Sequence, residues 1–182
     1  MTHSRRNWRA GKPVALGVVG VLLGFGGALP ASIADDEEKP EVEAQVQLPD
    51  PPKPDNLIEF YVSEVTTNRF FVDGASLSVG ADGAIRYTAV IKAAAGARNV
   101  SFEGIRCGSR ERRLYAFGRA DNSWSKARNS AWAPVSTTGP SRYQYVLMRE
   151  YFCPDGNQIR DAAQGLAALR RGASSAGDRY GN

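Results

Sequence analysis

The amino-acid sequence predicts an α+β protein in which an antiparallel sheet of about five strands has two C-terminal helices packed on it. Apolar and polar residues alternate through several short segments between residues 57 and 118, as in strands with one buried face. Short glycine-containing turns join these segments, which favours antiparallel hairpins over helical crossovers. After Ser141 the apolar spacing changes to that of helices.

The first three strands are predicted from alternation and turn chemistry. The first strand covers residues 57–63, and a second, short one covers residues 69–73. The third covers residues 85–92. It follows a turn at Asp82 and Gly83, which both tolerate a positive φ.

Two further strands complete the predicted sheet. Within residues 100–107 the apolar side chains change from one face of the strand to the other at Gly104. Such a change of phase predicts a β-bulge, in which an extra residue redirects the side chains that follow. Residues 112–117 form the last strand, which a turn beginning at Gly108 joins to the preceding one.

The C-terminal third predicts two helices that pack on the sheet. Residues 141–152 place apolar side chains at helical spacing, with Ser141 in position to cap the N-terminus. A second helix is predicted to end at Gly172, after its last apolar position and two arginines. Residues 172–182 are rich in serine, glycine and alanine, which predicts a flexible tail.

The first 34 residues are typical of a secretory signal peptide. Basic residues precede an apolar run at residues 14–29, and small residues up to Ala34 form a cleavage pattern. A retained membrane anchor is the alternative interpretation. The 16-residue apolar run is short for a bilayer span, which needs about 20 residues. The basic residues are Arg5, Arg6, Arg9 and Lys12.

Residues 35–56 predict an acidic, proline-rich, disordered linker in front of an α+β domain at residues 57–171. This segment has no aromatic residue and contains five prolines. It cannot bury enough apolar surface to order itself, and its prolines favour a stiff, extended spacer. A docking arm is the alternative interpretation.

Composition restricts the chemistry that this protein can perform. The only histidine, His3, lies in the predicted leader. Cleavage would therefore remove imidazole, the commonest general base and nitrogen metal ligand. Four of the 23 basic side chains also lie there, which leaves 19 against 19 acidic ones. A net charge of zero gives no drive towards nucleic acid. We expect no cofactor, no metal site and no catalytic residue.

The two cysteines, Cys107 and Cys153, are predicted to form a disulfide bond. An even pair in an exported protein is usually bridged, because the compartment is oxidising. A redox-active thiol is the alternative interpretation. The sequence contains neither a C-x-x-C pattern nor a histidine that could lower a thiol pKa after cleavage of the leader.

Glu103 is the strongest candidate for a functional polar residue, because it lies beside the predicted bulge. As a general acid or a ligand-binding carboxylate it would need a second carboxylate, with Glu111 or Asp73 as the candidates. The alternative is that Glu103 forms an ion pair with Arg106 or Arg86 and fixes the bulge.

A group of basic residues surrounds Trp124, which is expected to be exposed. Cations interleaved with an aromatic side chain can bind a glycan or an anionic polymer. The alternative is a charged strand edge that discourages aggregation between sheets. The group comprises Arg110, Arg112, Arg113, Arg119, Lys126 and Arg128. The predicted functional cluster is Glu103, Arg106, Arg86, Glu111, Arg112 and Trp124.

The segment 99–107, which ends in Gly104-Ile105-Arg106-Cys107, is informative as a whole. Together with residues 86–88 and the later residues 151–153, it resembles the cryptic neisserial protein-like family of exported bacterial proteins. Glu111, Tyr115, Ala116 and Trp124 also fit this resemblance. It covers residues 57–169 and implies a periplasmic setting, but it implies no reaction.

The sequence therefore favours a non-catalytic periplasmic protein that acts as a binding or assembly module of the cell envelope. Its expected partner is an envelope protein or an anionic wall polymer, without stable membrane insertion after processing. The alternative is a histidine-free hydrolase of wall glycan that uses Glu103 and Glu111. An accessory factor that chaperones another envelope protein is a third possibility.

Overall fold

The computed structural model describes residues 46–180, with side chains described as far as Gly172. Within this range the α+β fold predicted from the sequence is confirmed. The predicted leader, residues 1–34, and residues 35–45 of the predicted linker lie outside the described residues. Those two predictions stay predictions.

An antiparallel meander forms the sheet. The described residues contain seven strands, and the first six follow one another across the sheet in chain order. The two short last strands both pair with the fifth. Their bounds are β1 (Leu57–Phe60), β2 (Arg69–Val79), β3 (Ile85–Lys92), β4 (Arg98–Arg106), β5 (Glu111–Gly118), β6 (Trp124–Lys126) and β7 (Ala133–Pro134).

Among the described residues, two longer helical segments follow the sheet, with a short 3-10 turn at Pro154–Gly156 between them. The first, α1 (Arg142–Val146), continues directly into a π-helical turn at Leu147–Phe152. Ser141 precedes α1, but its side chain makes no capping hydrogen bond. The second helix, α2, covers Ala162–Tyr180. No helix among the described residues is both long and apolar enough to cross a membrane.

The predicted end of the second helix at Gly172 is wrong, because α2 continues to Tyr180. The glycine has a packing role. A Cβ atom at position 172 would lie 2.4 Å from Cε1 of Tyr151, so only glycine lets α2 approach the π-helical turn this closely. A glycine inside a helix costs about 1 kcal/mol relative to alanine, which the surrounding helix tolerates.

The sheet is buried on both faces. On the helix face, Ile85, Tyr87 and Ile105 pack with Leu147 and Phe152 in the main core. On the opposite face, two smaller clusters are covered by the chain around Trp124 and by the residues that precede β1. Their buried members are Phe71, Val90, Val100, Phe102, Tyr115 and Ala116.

The position predicted for the β-bulge is wrong. The register of β3 and β4 is unbroken, from Ile85 opposite Ile105 to the ends of both strands. A register shift lies instead between β4 and β5, where Tyr115 is the extra residue between two consecutive pairs, and another lies between β2 and β3 after Asp73. The apolar residues of β4 change face because both faces of this strand are buried, which removes the simple alternation.

Part of the predicted linker lies against the sheet. The indole N–H of Trp124 donates a hydrogen bond of 2.8 Å to the carbonyl oxygen of Pro49. Val46 packs against the cluster that contains Phe102. Trp124 is therefore partly buried, and the prediction that it is exposed is wrong.

The predicted disulfide bond between Cys107 and Cys153 is present, with the two Cα atoms 5.7 Å apart. It joins the residue after β4 to the residue after the π-helical turn. The bond therefore fixes the C-terminal end of the first helical segment on the sheet.

Replacing both cysteines with serine should lower the free energy of unfolding by about 4 kcal/mol, because the bond closes a loop with a sequence separation of 46. Urea denaturation of the oxidised protein and of the double variant measures this difference. Reduction of the wild-type protein should give the same loss. Equal stability of the oxidised and reduced forms would contradict the prediction.

Candidate functional site

A buried carboxylate lies at the centre of the site. Glu103 is only 1% exposed and accepts hydrogen bonds from four side chains. The hydroxyls of Ser101 and Tyr143 donate to Oε1, the latter at 2.5 Å. The hydroxyl of Tyr87 and the amide of Gln144 donate to Oε2 at 3.0 and 2.7 Å. Two bonds on each oxygen fill the acceptor sites of the carboxylate.

Three elements contribute these donors, and simple geometry explains each position. Ser101 precedes Glu103 by two residues on β4, so both side chains lie on the same face. Tyr87 is directly opposite Glu103 on β3. Tyr143 and Gln144 belong to the first turn of α1, which crosses the helix face of the sheet at this point. We call these five residues the Glu103 hub.

The two tyrosines of the hub stay protonated over a wide pH range. Burial is the largest cause that raises the pKa of Tyr87 well above its ordinary value, and the negative charge of Glu103 raises it further. The same two causes, in the same order, raise the pKa of Tyr143. Both hydroxyls are therefore stable hydrogen-bond donors to Glu103.

A pocket of about 450 Å³ lies beside the hub on the helix face. Its polar wall includes Glu103, Tyr143 and Gln144, and Arg112 lines it as well. We call it the Arg112 pocket. Its apolar lining includes Ile91, Leu114, Phe117 and Pro140. This size and this mixture of apolar surface with a few polar groups are typical of small-molecule sites.

Two buried polar atoms around this pocket have no hydrogen-bond partner within the part of the chain that the structure describes. They are Nε of Arg112, a donor, and Oε1 of Gln144, an acceptor. Among residues 46–172, no carboxylate forms an ion pair with Arg112. Glu103 lines the same pocket but is not in ion-pair contact with Arg112, so the half-buried guanidinium retains hydrogen-bond donors for an anionic ligand.

Of the predicted cluster, the structure places Glu103 and Arg112 in one pocket, and Arg106 directly opposite Glu111 on the other face of the sheet. Arg86 instead forms an ion pair with Asp82, through contacts of 3.0 and 2.5 Å. Hydrogen bonds from the Arg86 guanidinium hold the pKa of the Asp82 carboxyl below its ordinary value. Arg106 lies over the ring of Trp132, 4.3 Å from its centroid. The predicted ion pair between Glu103 and either arginine is therefore wrong.

The alternation of side chains along a strand explains this error. Residues 86 and 106 occupy positions whose side chains lie on the opposite face from Glu103. There the arginines stack with aromatic rings. Arg86 and Arg113 lie 5.7 and 5.2 Å from the ring centroid of Tyr115.

The predicted basic group around Trp124 is divided between the two faces. Arg112 pairs with Ile105 on the helix face, whereas Arg113 lies over Tyr115 on the opposite face. Trp124 itself packs against Phe102, with ring centroids 6.3 Å apart. These cations therefore do not surround an exposed aromatic side chain.

The carboxylate pair that a glycosidase needs is not formed by the predicted residues. Such a pair requires a separation of about 5 to 9.5 Å across a cleft. Glu111 is opposite Arg106, and Asp73 is opposite Thr88, so the sheet separates both from Glu103. Burial raises the pKa of Asp73. Among the described residues, Glu103 is the only carboxylate that lines the Arg112 pocket.

The donors of the hub were missed in the sequence. Tyr143 has the spacing of a core helix residue, and Gln144 has no pattern that distinguishes it. The available signal was Glu103 itself, because a carboxylate on a buried strand face requires donors from its neighbours. Within residues 46–172, no group of three potential ligands is placed to hold a metal ion.

The fold and the site define a class of α+β protein in which a buried carboxylate anchors a helix beside a partly apolar pocket. A model of the CNP1-like family matches residues 36–170. This protein therefore belongs to the CNP1-like family. The resemblance predicted from the sequence covers similar residues, but the description of that family as neisserial stays a prediction. No curated protein and no solved structure matches the chain.

Glu103→Ala should lower the free energy of unfolding by about 4 kcal/mol, because four donors lose their acceptor and two of them are on buried tyrosines. Glu103→Gln should cost about half as much, since hydroxyl groups can rotate and accept from the new amide. Urea denaturation measures both effects. The exposed control Glu64→Gln should change stability by less than about 0.5 kcal/mol. Wild-type stability of Glu103→Ala would contradict a structural role for the hub.

Stability should fall as the pH rises above about 10, the ordinary tyrosine pKa. The raised pKa values of Tyr87 and Tyr143 mean that the unfolded chain releases these protons first. Each tyrosine should lower the free energy of unfolding by about 1.4 kcal/mol per pH unit in this range. Tyr143→Phe should therefore make the fall with pH less steep by one such contribution. Urea denaturation between about pH 9 and pH 12 tests this. Identical slopes for both proteins would contradict it.

Proposed function

We propose that this protein is a non-catalytic binding module of the cell envelope and that the Arg112 pocket is its ligand site. The observation that carries this proposal is the contrast between two charged groups in one pocket. Both oxygens of Glu103 are occupied by four internal donors. Arg112 forms no ion-pair contact with any of the described residues.

This contrast favours binding over catalysis. A general acid or nucleophile must reach the substrate with a free oxygen, and Glu103 has none to offer without losing one of its four internal hydrogen bonds. An arginine beside an apolar surface needs only a complementary ligand. No observation favours the alternative wall-glycan hydrolase, because the second carboxylate is missing from the pocket lining in the described residues.

The envelope location is a proposal that two features support. Residues 1–34 have the sequence pattern of a signal peptide. The bond between Cys107 and Cys153 is typical of proteins in oxidising compartments. The periplasm meets both conditions.

The lining of the pocket suggests the chemical class of its ligand. Arg112 can form two parallel hydrogen bonds to a carboxylate, sulfonate or phosphate group. The side chain of Phe117 is 49% exposed and contributes apolar surface beside it, together with Leu114. We therefore propose an organic anion with an apolar body as the ligand.

An aromatic sulfonate dye, anilinonaphthalene sulfonate, provides a direct probe of this site. The folded protein should bind it saturably with increased fluorescence, and Arg112→Met should weaken binding on the order of tenfold, because one charge-assisted contact is lost. Phe117→Ser should also weaken it. Arg128→Met removes an exposed cation outside the pocket and serves as the control. Equal dye affinity in the wild-type protein and Arg112→Met would overturn the proposal.

A further inference from the structure

Three basic residues lie side by side across the sheet. Arg69 on β2 is directly opposite Lys92 on β3, and Lys92 is directly opposite Arg98 on β4. Like charges at directly opposed positions destabilise an antiparallel pair. Each of these two neighbouring like-charge pairs therefore lowers the stability of the sheet, and the native sheet contains both.

Their side chains share the face that the helices do not cover. Arg69 and Lys92 both lie over the ring of Phe71, at 5.2 and 4.7 Å from its centroid. This ring holds two cationic groups close together above the sheet. With Arg98, Thr67 and the turn at Gly96, they line a cleft of about 470 Å³.

The three positions are on successive strands. Because adjacent strands are about 4.8 Å apart, they span roughly 10 Å. Arg119, which follows β5, is not part of this line, because its guanidinium donates to Oγ of Ser125 on the face that the helices cover. We call Arg69, Lys92 and Arg98 the basic row.

Nearby carboxylates neutralise only part of this charge. Glu59 forms an ion pair of 2.5 Å with Arg69. Lys92 and Arg98 form no ion pair with any of the residues 46–172. The middle of the basic row therefore has no counter-charge from this domain.

We propose that the basic row binds an extended polyanion with repeating phosphate groups, which lies across the strands. A linear arrangement of cations matches a linear arrangement of anions, whereas a single phosphate would engage only one or two of them. The row also lies in a cleft, which a polymer chain can enter more readily than the flat surface of a bilayer. This site is separate from the proposed Arg112 pocket and does not depend on it.

Titration calorimetry of the disulfide-bonded protein with a short sodium polyphosphate at low ionic strength tests the proposal. The double variant Lys92→Gln/Arg98→Gln should bind at least on the order of tenfold more weakly. The slope of log affinity against log salt should fall by about two, one for each cation removed. The control Arg128→Gln/Arg160→Gln has the same change in charge at exposed positions outside the row, and it should retain affinity and slope.

Stability provides a second readout. Because the double variant removes like-charge repulsion, its thermal midpoint should equal or exceed that of the wild-type protein. Weaker binding is then not a result of unfolding. Arg112→Met should bind polyphosphate like the wild-type protein, so failure of the pocket and failure of the row are distinguishable.

Three results would overturn the proposal. The first is no binding of polyphosphate by the wild-type protein at low salt. The second is an equal loss of affinity in the control, which would indicate attraction by total charge alone. The third is selective binding to phosphatidylglycerol vesicles without binding to polyphosphate, which would assign the row to a membrane surface.

Discussion

The position of the first helical segment depends on a single buried carboxylate. Burying such a group is costly unless hydrogen bonds replace its hydration, and Glu103 recruits donors from β3, β4 and α1 to do so. Alone, α1 has five residues and would not be stable in water. The hub fixes its start and the disulfide bond at Cys153 fixes the end of the π-helical turn. The same contacts therefore place the polar wall of the Arg112 pocket, since Tyr143 and Gln144 belong to both.

Local patterns allowed the sheet to be predicted from the sequence, because alternation and turn residues act over short distances. The strands β3 and β5 and the turn at Gly83 follow directly from them. The same rule fails where both faces are buried. Both faces of β4 are buried, so its apolar residues change face as they would at a bulge. The sequence therefore predicts a bulge in β4, whereas the structure has the extra residue in β5. Gly104 has a different role. A Cβ there would lie 2.9 Å from the hydroxyl of Tyr115 and 3.0 Å from Trp132, so a larger residue would displace these two rings.

The candidate site could be predicted only in part, because its partners are distant in the chain. Glu103 was identified as the key polar residue, but the sequence offered nearby arginines as its partners. Two of its actual donors are 40 and 41 residues away. A helix residue contacts a strand only once the helix has docked, so its spacing in the sequence contains no information about that contact. The end of α2 was missed for a similar reason, since the packing of Gly172 on Tyr151 is a tertiary contact.

The distribution of charge connects the two proposed sites. Residues 60–182 contain 17 basic and 10 acidic side chains. Two of the acidic side chains, Glu103 and Asp82, have partners inside the domain. Glu103 accepts from four neutral donors and Asp82 is paired with Arg86, so neither forms an ion pair with Arg112 or with the basic row. The folded domain therefore presents cations in excess at two places. Arg98 lines both the cleft of the basic row and the Arg112 pocket, but Lys92 lines only the former and Arg112 only the latter. Substitutions at these two residues therefore separate the two sites, because each changes the charge of one site alone.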